Sequence, residues 1–373
     1  MCEIVFKEER QVTCLKNVSL FGKTTDIVIK DGKILAIGKT EANGVDMHGL
    51  RIYPGLIDIH CHGCVGCDTM DKEDNLGKMS EFLAQNGTTA WYPTTMTMSA
   101  EDIIAATNKP IKSSCGAQIL GFHMEGPFIN PKYKGAQSED FILNPSMELF
   151  EKCNNVKIVT LAPEMEGSLE FIKSCPAILS LGHSDADYNT AMGAIASGVR
   201  CLTHTFNAMP PIHHRAPGPI LAAAESEDVY AQVIADGIHI HPAVLRMTAK
   251  LVGKDRMILI SDSMRAAGMP DGEYDLGGQT MRVEGGRALT KDGHLAGSVA
   301  TLFDCVRFVI SIGFDAEDAV RMASENPARL MGLNKGKIEA GYDADFIFVD
   351  DSFNLVGTMI NGIFANNNLQ KED

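Results

Sequence analysis

GLIDIHCHGCVGCD, residues 55–68, opens with a run typical of a buried β-strand and ends in a Cys-x-x-Cys pair. Its two histidines and three cysteines fit three kinds of site: a zinc finger, a thiol-redox module, or the metal-binding edge of a hydrolase. A structural zinc site needs four ligands, and no second Cys-x-x-Cys follows within the next few dozen residues. A redox module would need a thioredoxin-like βαβ unit around the pair, which the rest of the chain does not supply.

The middle of the chain alternates short apolar runs with helix-like stretches, which is the pattern of βα units. The helix-like stretches include NLGKMSEFLAQNG (75–87) and NTAMGAIASGV (189–199), which end near glycine as helices often do. Eight strands with crossover connections predict a (β/α)8 barrel of the TIM type over residues 53–334. The candidate strands are GLIDIH (55–60), TTAWYPT (88–94), QILGFHME (118–125), VKIVTLAPE (156–164), AILSLGH (177–183), CLTHTF (201–206), AQVIAD (231–236) and RMILISD (256–262).

The two ends of the chain have a different pattern. DIVIKDGKILAIG (26–38) contains two alternating stretches joined by Asp31-Gly32, which is a strong hairpin signal. GKIEAGYDADFIFVD (336–350) and FNLVGTMINGIFAN (353–366) also indicate strands rather than helices. We therefore expect residues 1–52 and 335–373 to form one small β-sandwich domain, with two unrelated terminal hairpins as the alternative.

The composition restricts the partners. Of 373 residues, 48 are acidic and 33 basic, and the net charge of −15 argues against a nucleic-acid partner, which would need clustered Lys and Arg. It leaves an anionic small molecule open, because a few local basic groups decide that affinity. We find no signal-peptide pattern and no apolar run of spanning length, so we expect no membrane partner. Ten cysteines without an export signal favour the reducing cytoplasm.

Histidines and acids collect where the predicted strands end. In a parallel barrel, all the carboxyl ends of the strands lie on one face, which is where such enzymes place their active sites. The two histidines of the His-x-His motif are two positions apart, so both side chains leave the same side of the strand. Six side chains are expected on this face: His60, His62, Glu125, His183, His204 and Asp262.

These donors predict a metal site. Imidazole and carboxylate ligands suit zinc, iron or manganese rather than a thiolate cluster. Six ligands exceed the number that one four-coordinate ion needs, and a carboxylate such as Glu125 can bridge two ions. We therefore expect one or two divalent ions per chain, with zinc first and iron, manganese or cobalt as alternatives.

Several motifs resemble those of the amidohydrolase superfamily: YPGLIDIHCHG, GFHMEGPF, LGHS, THTFNAM, ISDS and GYDADFIFVD. Within it, the chain is similar essentially end to end to the N-acetylglucosamine-6-phosphate deacetylases. HMEGPFINPKYKGA (123–136) and HTFNAMPPIHHRAPG (204–218) are the most specific segments. The resemblance implies metal-dependent hydrolysis of the sugar acetamide in amino-sugar metabolism, a small amino-sugar phosphate as substrate, and a homodimer with its phosphate loops near the subunit boundary.

The resemblance also implies roles for individual residues. Glu125, His183 and His204 match the ligands of the principal metal, and His60 and His62 match a pair found in members that hold a second one. Asp262 matches the acid–base residue and is a candidate ligand as well. The positions implied for substrate binding are Ala136, Gln137, Asn207, Ala208, Arg215, Asp236, His239, Leu295, Ala296 and Gly297.

One position departs from part of the family, and two other activities stay open. Gln137 stands where some members carry a histidine that donates to the acetyl carbonyl of the substrate; a glutamine amide can donate the same bond without charge. The alternatives are an N-acetylgalactosamine-6-phosphate deacetylase and an amidohydrolase acting on another amide, such as a cyclic ureide. A non-enzymatic relative would be expected to lose ligands, whereas this chain retains every candidate ligand.

Overall fold

The strands at the start of the chain belong to a sheet that also contains the last strands of the chain. A computed structural model describes residues 12–111 and 116–365. Asp31 and Gly32, with φ of 56° and 75°, form the predicted tight turn of the first hairpin. The first strands are β1 (Thr13–Leu20), β2 (Lys23–Lys30), β3 (Lys33–Ile37), β4 (Val45–Asp46) and β5 (Arg51–Pro54).

The middle of the chain alternates strands with helices. The strands are β6 (Leu56–Cys61), β7 (Gly63–Cys64), β8 (Cys67–Asp68), β9 (Thr88–Thr95), β10 (Gln118–Ile119), β11 (Phe122–Glu125), β12 (Val156–Leu161), β13 (Ile178–Leu181), β14 (Val199–Leu202), β15 (Tyr230–Ile234) and β16 (Met257–Ile260). The helices are α1 (Leu76–Gln85), α2 (Ala100–Thr107), α3 (Met147–Lys152), α4 (Ser168–Ser174), α5 (Tyr188–Ser197), α6 (Gly218–Glu225), α7 (Pro242–Leu251), α8 (Leu302–Ser311), α9 (Ala316–Ala323) and α10 (Glu325–Leu330). Two short 3-10 turns, Pro131–Tyr133 and Glu139–Phe141, follow β11.

Eight parallel strands of the described chain form the barrel, in the order β6, β9, β11, β12, β13, β14, β15 and β16. The first and last of them meet through the amide of Asp262, which donates to the carbonyl of His60 at 2.9 Å, and through a parallel bridge between Cys61 and Ser263. A helix follows each strand before the next one begins. The predicted (β/α)8 barrel is therefore confirmed, including its count of strands.

The fourth, fifth, seventh and eighth strands end two or three residues before their predicted ends, and two others differ more. QILGFHME is not continuous: β10 and β11 are separated at Leu120-Gly121, where Gly121 has a φ of 138° that a strand does not adopt. The sixth strand begins at Val199 and ends at Leu202, so His204 lies in the turn after it rather than inside it. In both cases a residue with positive φ ends the regular pairing.

An antiparallel sheet that the sequence did not predict follows β16. Its strands are β17 (Gly272–Leu276), β18 (Gln279–Glu284) and β19 (Arg287–Leu289). They are short and are separated by Gly-Gly turns, and most of their residues are exposed or half-buried. Leu276, Met281 and Val283 pack against Met96 and Met264, so this sheet covers part of the carboxyl end of the barrel.

The predicted association of the two ends of the chain is confirmed. The last strands, β20 (Phe346–Val349), β21 (Leu355–Ile360) and β22 (Ile363–Phe364), continue the N-terminal sheet because β20 pairs antiparallel with β5. The strand order is β22, β21, β20, β5, β1, β2 and β3, with β4 beside β1. The division at residues 52 and 334 stays a prediction, and residues 1–11 and 366–373 of the two terminal segments lie outside the described residues.

The eight cysteines of residues 12–111 and 116–365 are free thiols, and all except Cys175 are buried. No helix within these ranges is long and apolar enough to cross a membrane. The predicted cytoplasmic location stays a prediction.

Candidate metal centre and active site

The barrel strands bring the six predicted side chains together at their carboxyl ends. His60 lies in β6 and His62 directly after it, Glu125 is the last residue of β11, and the other three each follow a strand by two residues. These three residues, His183, His204 and Asp262, have φ of 49°, 27° and 46°. A non-glycine residue in this region costs on the order of 1–3 kcal/mol, and such residues cluster at functional sites. All six side chains are buried.

Glu125, His183 and His204 form one group of potential metal ligands. Glu125 Oε1 lies 2.9 Å from His204 Nε2 and 3.2 Å from His183 Nε2. The two Nε2 atoms are themselves 3.0 Å apart. Three donor atoms at these separations can surround one small cation.

His60, His62 and Asp262 form a second group of potential metal ligands. Asp262 Oδ1 is 3.4 Å from His60 Nε2 and 3.3 Å from His62 Nε2, and the two Nε2 atoms are 3.3 Å apart. Glu125 Oε2 lies 3.2 Å from His62 Nε2, while Oε1 lies 3.3 Å from His60 Nε2. Glu125 therefore contacts both groups, as a carboxylate that bridges two ions would.

The hydrogen bonds of three of the four imidazoles fit metal binding, whereas Nδ1 of the buried His204 has no hydrogen-bond partner among the described residues. His62 Nδ1 donates to the Thr94 carbonyl at 3.2 Å and His183 Nδ1 to the Tyr133 carbonyl at 2.9 Å. His60 Nδ1 donates to Gln232 Oε1 at 3.1 Å. In a neutral ring, a proton on Nδ1 leaves a lone pair on Nε2, so in the neutral forms of His60 and His62 two lone pairs face one another across 3.3 Å. Such pairs of acceptors need a cation between them, and a hydrogen-bonded Nδ1–H is the usual support of a metal-ligating histidine.

The electrostatics of the site keep its carboxylates ionised. Burial alone would raise the pKa of Asp262, but the positive charge that His60 and His62 carry when protonated outweighs burial and lowers the pKa to about 2. For Glu125, burial is again outweighed by the histidines around it, and its pKa lies well below the usual value. Both carboxylates are therefore negatively charged at neutral pH and able to bind cations.

A cavity of about 310 Å³ opens above these groups. His62, Glu125, His183, His204 and Asp262 line its floor, whereas His60 lies behind them. The predicted substrate-binding residues that line it are Ala136, Gln137, Asn207, Ala208, His239, Leu295, Ala296 and Gly297.

A sequence profile described as the Amidohydrolase family matches residues 51–364, which is most of the chain. The chain belongs to the amidohydrolase family. This family is metal-dependent, in agreement with the two groups of His, Asp and Glu ligands at the carboxyl end of the barrel.

Three relatives illustrate how far the similarity extends. An N-acetylglucosamine-6-phosphate deacetylase of Lysinibacillus sphaericus is 38% identical over 369 residues, covering 94% of this chain and 95% of that protein. An N-acetylgalactosamine-6-phosphate deacetylase of Escherichia coli O157:H7 is 34% identical, covering 90% and 93%. A mutant N-acetyl-D-glucosamine-6-phosphate deacetylase of Mycobacterium smegmatis, solved in complex with N-acetyl-D-glucosamine-6-phosphate, superposes with a TM-score of 0.88 at 28% identity, covering 95% of this chain and 99% of that one.

Two predicted substrate residues of this amidohydrolase lie away from the cavity wall. Asp236 contacts the cavity indirectly, because its Oδ2 accepts from His239 Nδ1 at 2.7 Å. Arg215 lines a separate cavity of about 450 Å³ together with Asp185, Tyr188 and other residues. Its guanidinium is exposed and contacts His214 Nε2 at 2.9 Å. Within one chain, the structure therefore does not bring Arg215 to the metal groups.

Other residues at the site were not predicted from the sequence. Met96, Phe206, Leu276 and His294 line the cavity. The sequence carries one signal for His294, because it directly precedes the predicted Leu295–Gly297 loop. Gln232 supports His60 from β15, and a glutamine inside an otherwise apolar strand is a signal that could have identified it.

His123 and the Cys-x-x-Cys pair have packing roles rather than ligand positions. His123 Nδ1 donates to the Ile59 carbonyl at 2.9 Å, and its ring packs edge-on against His60. Cys64 and Cys67 face each other across the β7–β8 hairpin, and both are buried. Gly63 lets this hairpin pack closely, since a Cβ there would come within 2.4 Å of the Cys67 carbonyl. His60 and His62, and not these thiols, thus belong to the groups of potential metal ligands at the carboxyl end of the barrel.

Proposed function

We propose that this protein hydrolyses the N-acetyl group of N-acetyl-D-glucosamine 6-phosphate, giving D-glucosamine 6-phosphate and acetate. The observation that carries the proposal is the position of Asp262 and the bridging Glu125 on the floor of one cavity, with four imidazoles around them. The curated relatives that act on this substrate match the chain over nearly its whole length.

We propose that Glu125, His183 and His204 hold one divalent ion and that His60, His62 and Asp262 hold a second, with Glu125 shared. Zinc is the first expectation, because borderline nitrogen and oxygen donors in a small buried site suit it, with iron, manganese and cobalt as alternatives. When bound, such an ion lowers the pKa of water and polarises a carbonyl oxygen.

Asp262 is the proposed acid–base residue. Its carboxylate is ionised and lies at the cavity floor, so it can accept the proton of the water that attacks the acetyl carbon. It can then deliver this proton to the sugar nitrogen as the carbon–nitrogen bond breaks. Acetate and the free amine are the products.

We propose that the phosphate binds near His239 and the Asn207–Ala208 turn, which form the cavity wall above the floor. His239 is held in place by Asp236, whose Oδ1 also accepts from the backbone amides of Ile238 and His239. Arg215 does not line this cavity within one chain. In the homodimer that the resemblance implies, the phosphate loops lie near the subunit boundary, and we propose that Arg215 contacts the phosphate across it.

The test is acetate release from a panel of N-acetylhexosamine 6-phosphates and their unphosphorylated forms, with metal content measured on the same sample. Loss of charge-assisted contacts worth about 1.5–3 kcal/mol each should lower kcat/KM for the unphosphorylated sugar by at least about 10-fold to 100-fold. Equal rates on both forms would contradict the phosphate assignment. Failure of a metal-loaded sample to release acetate from any of these sugars would contradict the proposed function.

The N-acetylgalactosamine 6-phosphate isomer is the second candidate substrate. The observation in its favour is the Escherichia coli relative named for that activity, which is 34% identical over 354 residues. The two sugars differ only in the orientation of one hydroxyl group. A higher kcat/KM for the galacto isomer in the same panel would replace the gluco substrate in the proposal.

A further inference from the structure

Gln137 is held in a single orientation at the metal centre. It lies on the loop between the two 3-10 turns after β11 and is almost fully buried. Its Oε1 accepts from the backbone amide of Thr97 at 2.7 Å. Because Thr97 supplies a donor, the amide oxygen must face it, and the NH2 group must point the other way. The orientation of the side-chain amide is thus fixed by its surroundings.

The NH2 group of Gln137 donates to the bridging carboxylate. Nε2 lies 2.8 Å from Glu125 Oε2. This is the oxygen that faces His62 at 3.2 Å, whereas Oε1 faces His60, His183 and His204. Gln137 therefore contacts the carboxylate oxygen that is directed toward His62, one of the three donors of the second group. An ionised carboxylate oxygen has room for both a donor and a cation, since each oxygen carries two lone-pair sites.

The charge of the donor matters at this position. Two divalent ions would bring four positive charges to a site whose ligand side chains carry only the negative charges of Glu125 and Asp262. A cationic donor beside Glu125 Oε2 would repel the second ion and compete with it for the same oxygen. The amide of Gln137 is neutral and cannot ionise, so it can orient the carboxylate without opposing the ion.

We propose that Gln137 is a positioning residue for the second metal ion: by donating to Glu125 Oε2, it holds that oxygen toward His62. The inference rests on the proposed two-metal site. It extends the role expected for Gln137, which also lines the cavity and whose Nε2 has Met96 Sδ as its second neighbour at 3.7 Å.

The experiment is metal titration of the chelator-stripped full chain with Co²⁺, followed by absorption spectra and by competition with a chelator. Gln137→Met removes the donor while keeping a side chain of similar length. We expect the wild-type chain to bind two ions and the variant to bind the first with unchanged affinity. The second ion should bind about 10-fold to 100-fold more weakly, which is the usual effect of removing a partner of a metal ligand.

Gln279→Met is the matched control. Gln279 Nε2 donates to the Ala136 carbonyl, which anchors the same loop without touching Glu125. This variant should keep both ions, and thermal melting should show that each variant is folded. Should Gln137→Met fail to fold, Gln137→Ala removes the same donor with a smaller side chain.

Three other results would each contradict the inference, and the measurements distinguish them. A wild-type chain that binds only one ion would contradict the two-metal site itself and leave Gln137 with no second ion to position. A wild-type chain with two ions and a variant whose second ion binds within about threefold would contradict the role of Gln137 alone, since removal of a ligand's partner typically weakens binding more than that. Equal weakening of both ions, or the same loss in Gln279→Met, would show general disorder of the loop.

Discussion

Both ends of the barrel bury charged side chains, but the two ends differ in the partners that these side chains have. At the amino end, next to the terminal sheet, Lys335 Nζ lies 2.7 Å from Asp345 and 2.8 Å from Asp343. It also donates to Gln118 Oε1 at 3.2 Å. At the carboxyl end, by contrast, imidazole lone pairs face one another and the two carboxylates. At the amino end, the buried charges have partners of opposite charge within the chain. At the carboxyl end, the facing donor atoms need a bound cation.

From this difference we expect the amino end to contribute mainly to stability and the carboxyl end mainly to function. Removing one partner of a buried ion pair leaves an uncompensated charge, so changes at the amino end should affect folding. Changes at the carboxyl end should affect metal binding and catalysis more than folding, because like donor atoms such as the Nε2 atoms of His60 and His62 lie 3.3 Å apart and need a cation between them. Parallel barrels commonly divide these roles between their two faces.

The largest effect is expected from Asp262→Asn at the carboxyl end. Asparagine keeps the shape and can still offer an oxygen to a metal, but it cannot accept the proton of water at neutral pH. General acid–base catalysis is worth about 10²–10⁴-fold, and one residue would serve both proton transfers, so a loss in kcat at or above the top of this range is expected. Metal content and product affinity should be nearly unchanged. A kcat within about tenfold of wild type would identify another group as the base, since an essential proton shuttle is worth more than that.

The next effect concerns the second group of ligands. Changing both His60 and His62 to Asn should lower the metal content by one ion per chain, because these imidazoles supply two of the three donors of that group. Elemental analysis of the purified protein measures this directly. The double change of His213 and His214 to Asn is the control, since both side chains are exposed and belong to neither ligand group. An unchanged stoichiometry with full activity would refute the second site.

The sequence predicted the barrel and its metal-binding face because both depend on local patterns. Each strand is a short apolar run, and His60, Glu125 and Asp262 lie at the ends of such runs, where parallel topology brings them together. Contacts that depend on the course of a loop were not predictable in this way. The direction of Arg215 away from the cavity and the bond from Gln137 to Glu125 both arise from loops without a periodic pattern. The β17–β19 sheet was missed because its strands are short and half exposed.

At the amino end, Lys335→Met should destabilise the fold without changing the chemistry. It leaves the buried Asp345 and its neighbour Asp343 without their shared cation. The free energy of unfolding should fall by about 3 kcal/mol, the lower part of the range for breaking a buried pair. Urea titration measures this loss, while kcat of the folded fraction and metal content should stay at wild-type values.

Lys33→Met is the matched control for that change. Lys33 Nζ contacts Asp343 at 2.6 Å, but its own side chain is about half exposed. An exposed pair contributes about 0–1 kcal/mol, so this variant should lose much less stability than Lys335→Met. Equal losses in the two variants would show that burial does not distinguish the inner from the outer lysine. A loss of metal in Lys335→Met would contradict the separation of the two ends.

The smallest expected effect is a pH dependence of substrate binding at the carboxyl end. Burial would lower the pKa of His239, but the hydrogen bond and charge of Asp236 outweigh it, so the pKa is raised above the ordinary value. Below this raised pKa the ring is cationic and donates a charge-assisted bond to the proposed phosphate; above it the ring is neutral. A charge-assisted bond is roughly twice as strong as a neutral one, a difference of about 1 kcal/mol, so KM should rise about fivefold as the pH increases through the pKa.

In Asp236→Asn the pKa of His239 should return toward its ordinary value, and the rise in KM should begin at lower pH. Because the phosphate titrates identically with both proteins, the shift between the two pH profiles isolates His239, and superimposable profiles would show that His239 does not bind the phosphate as a cation.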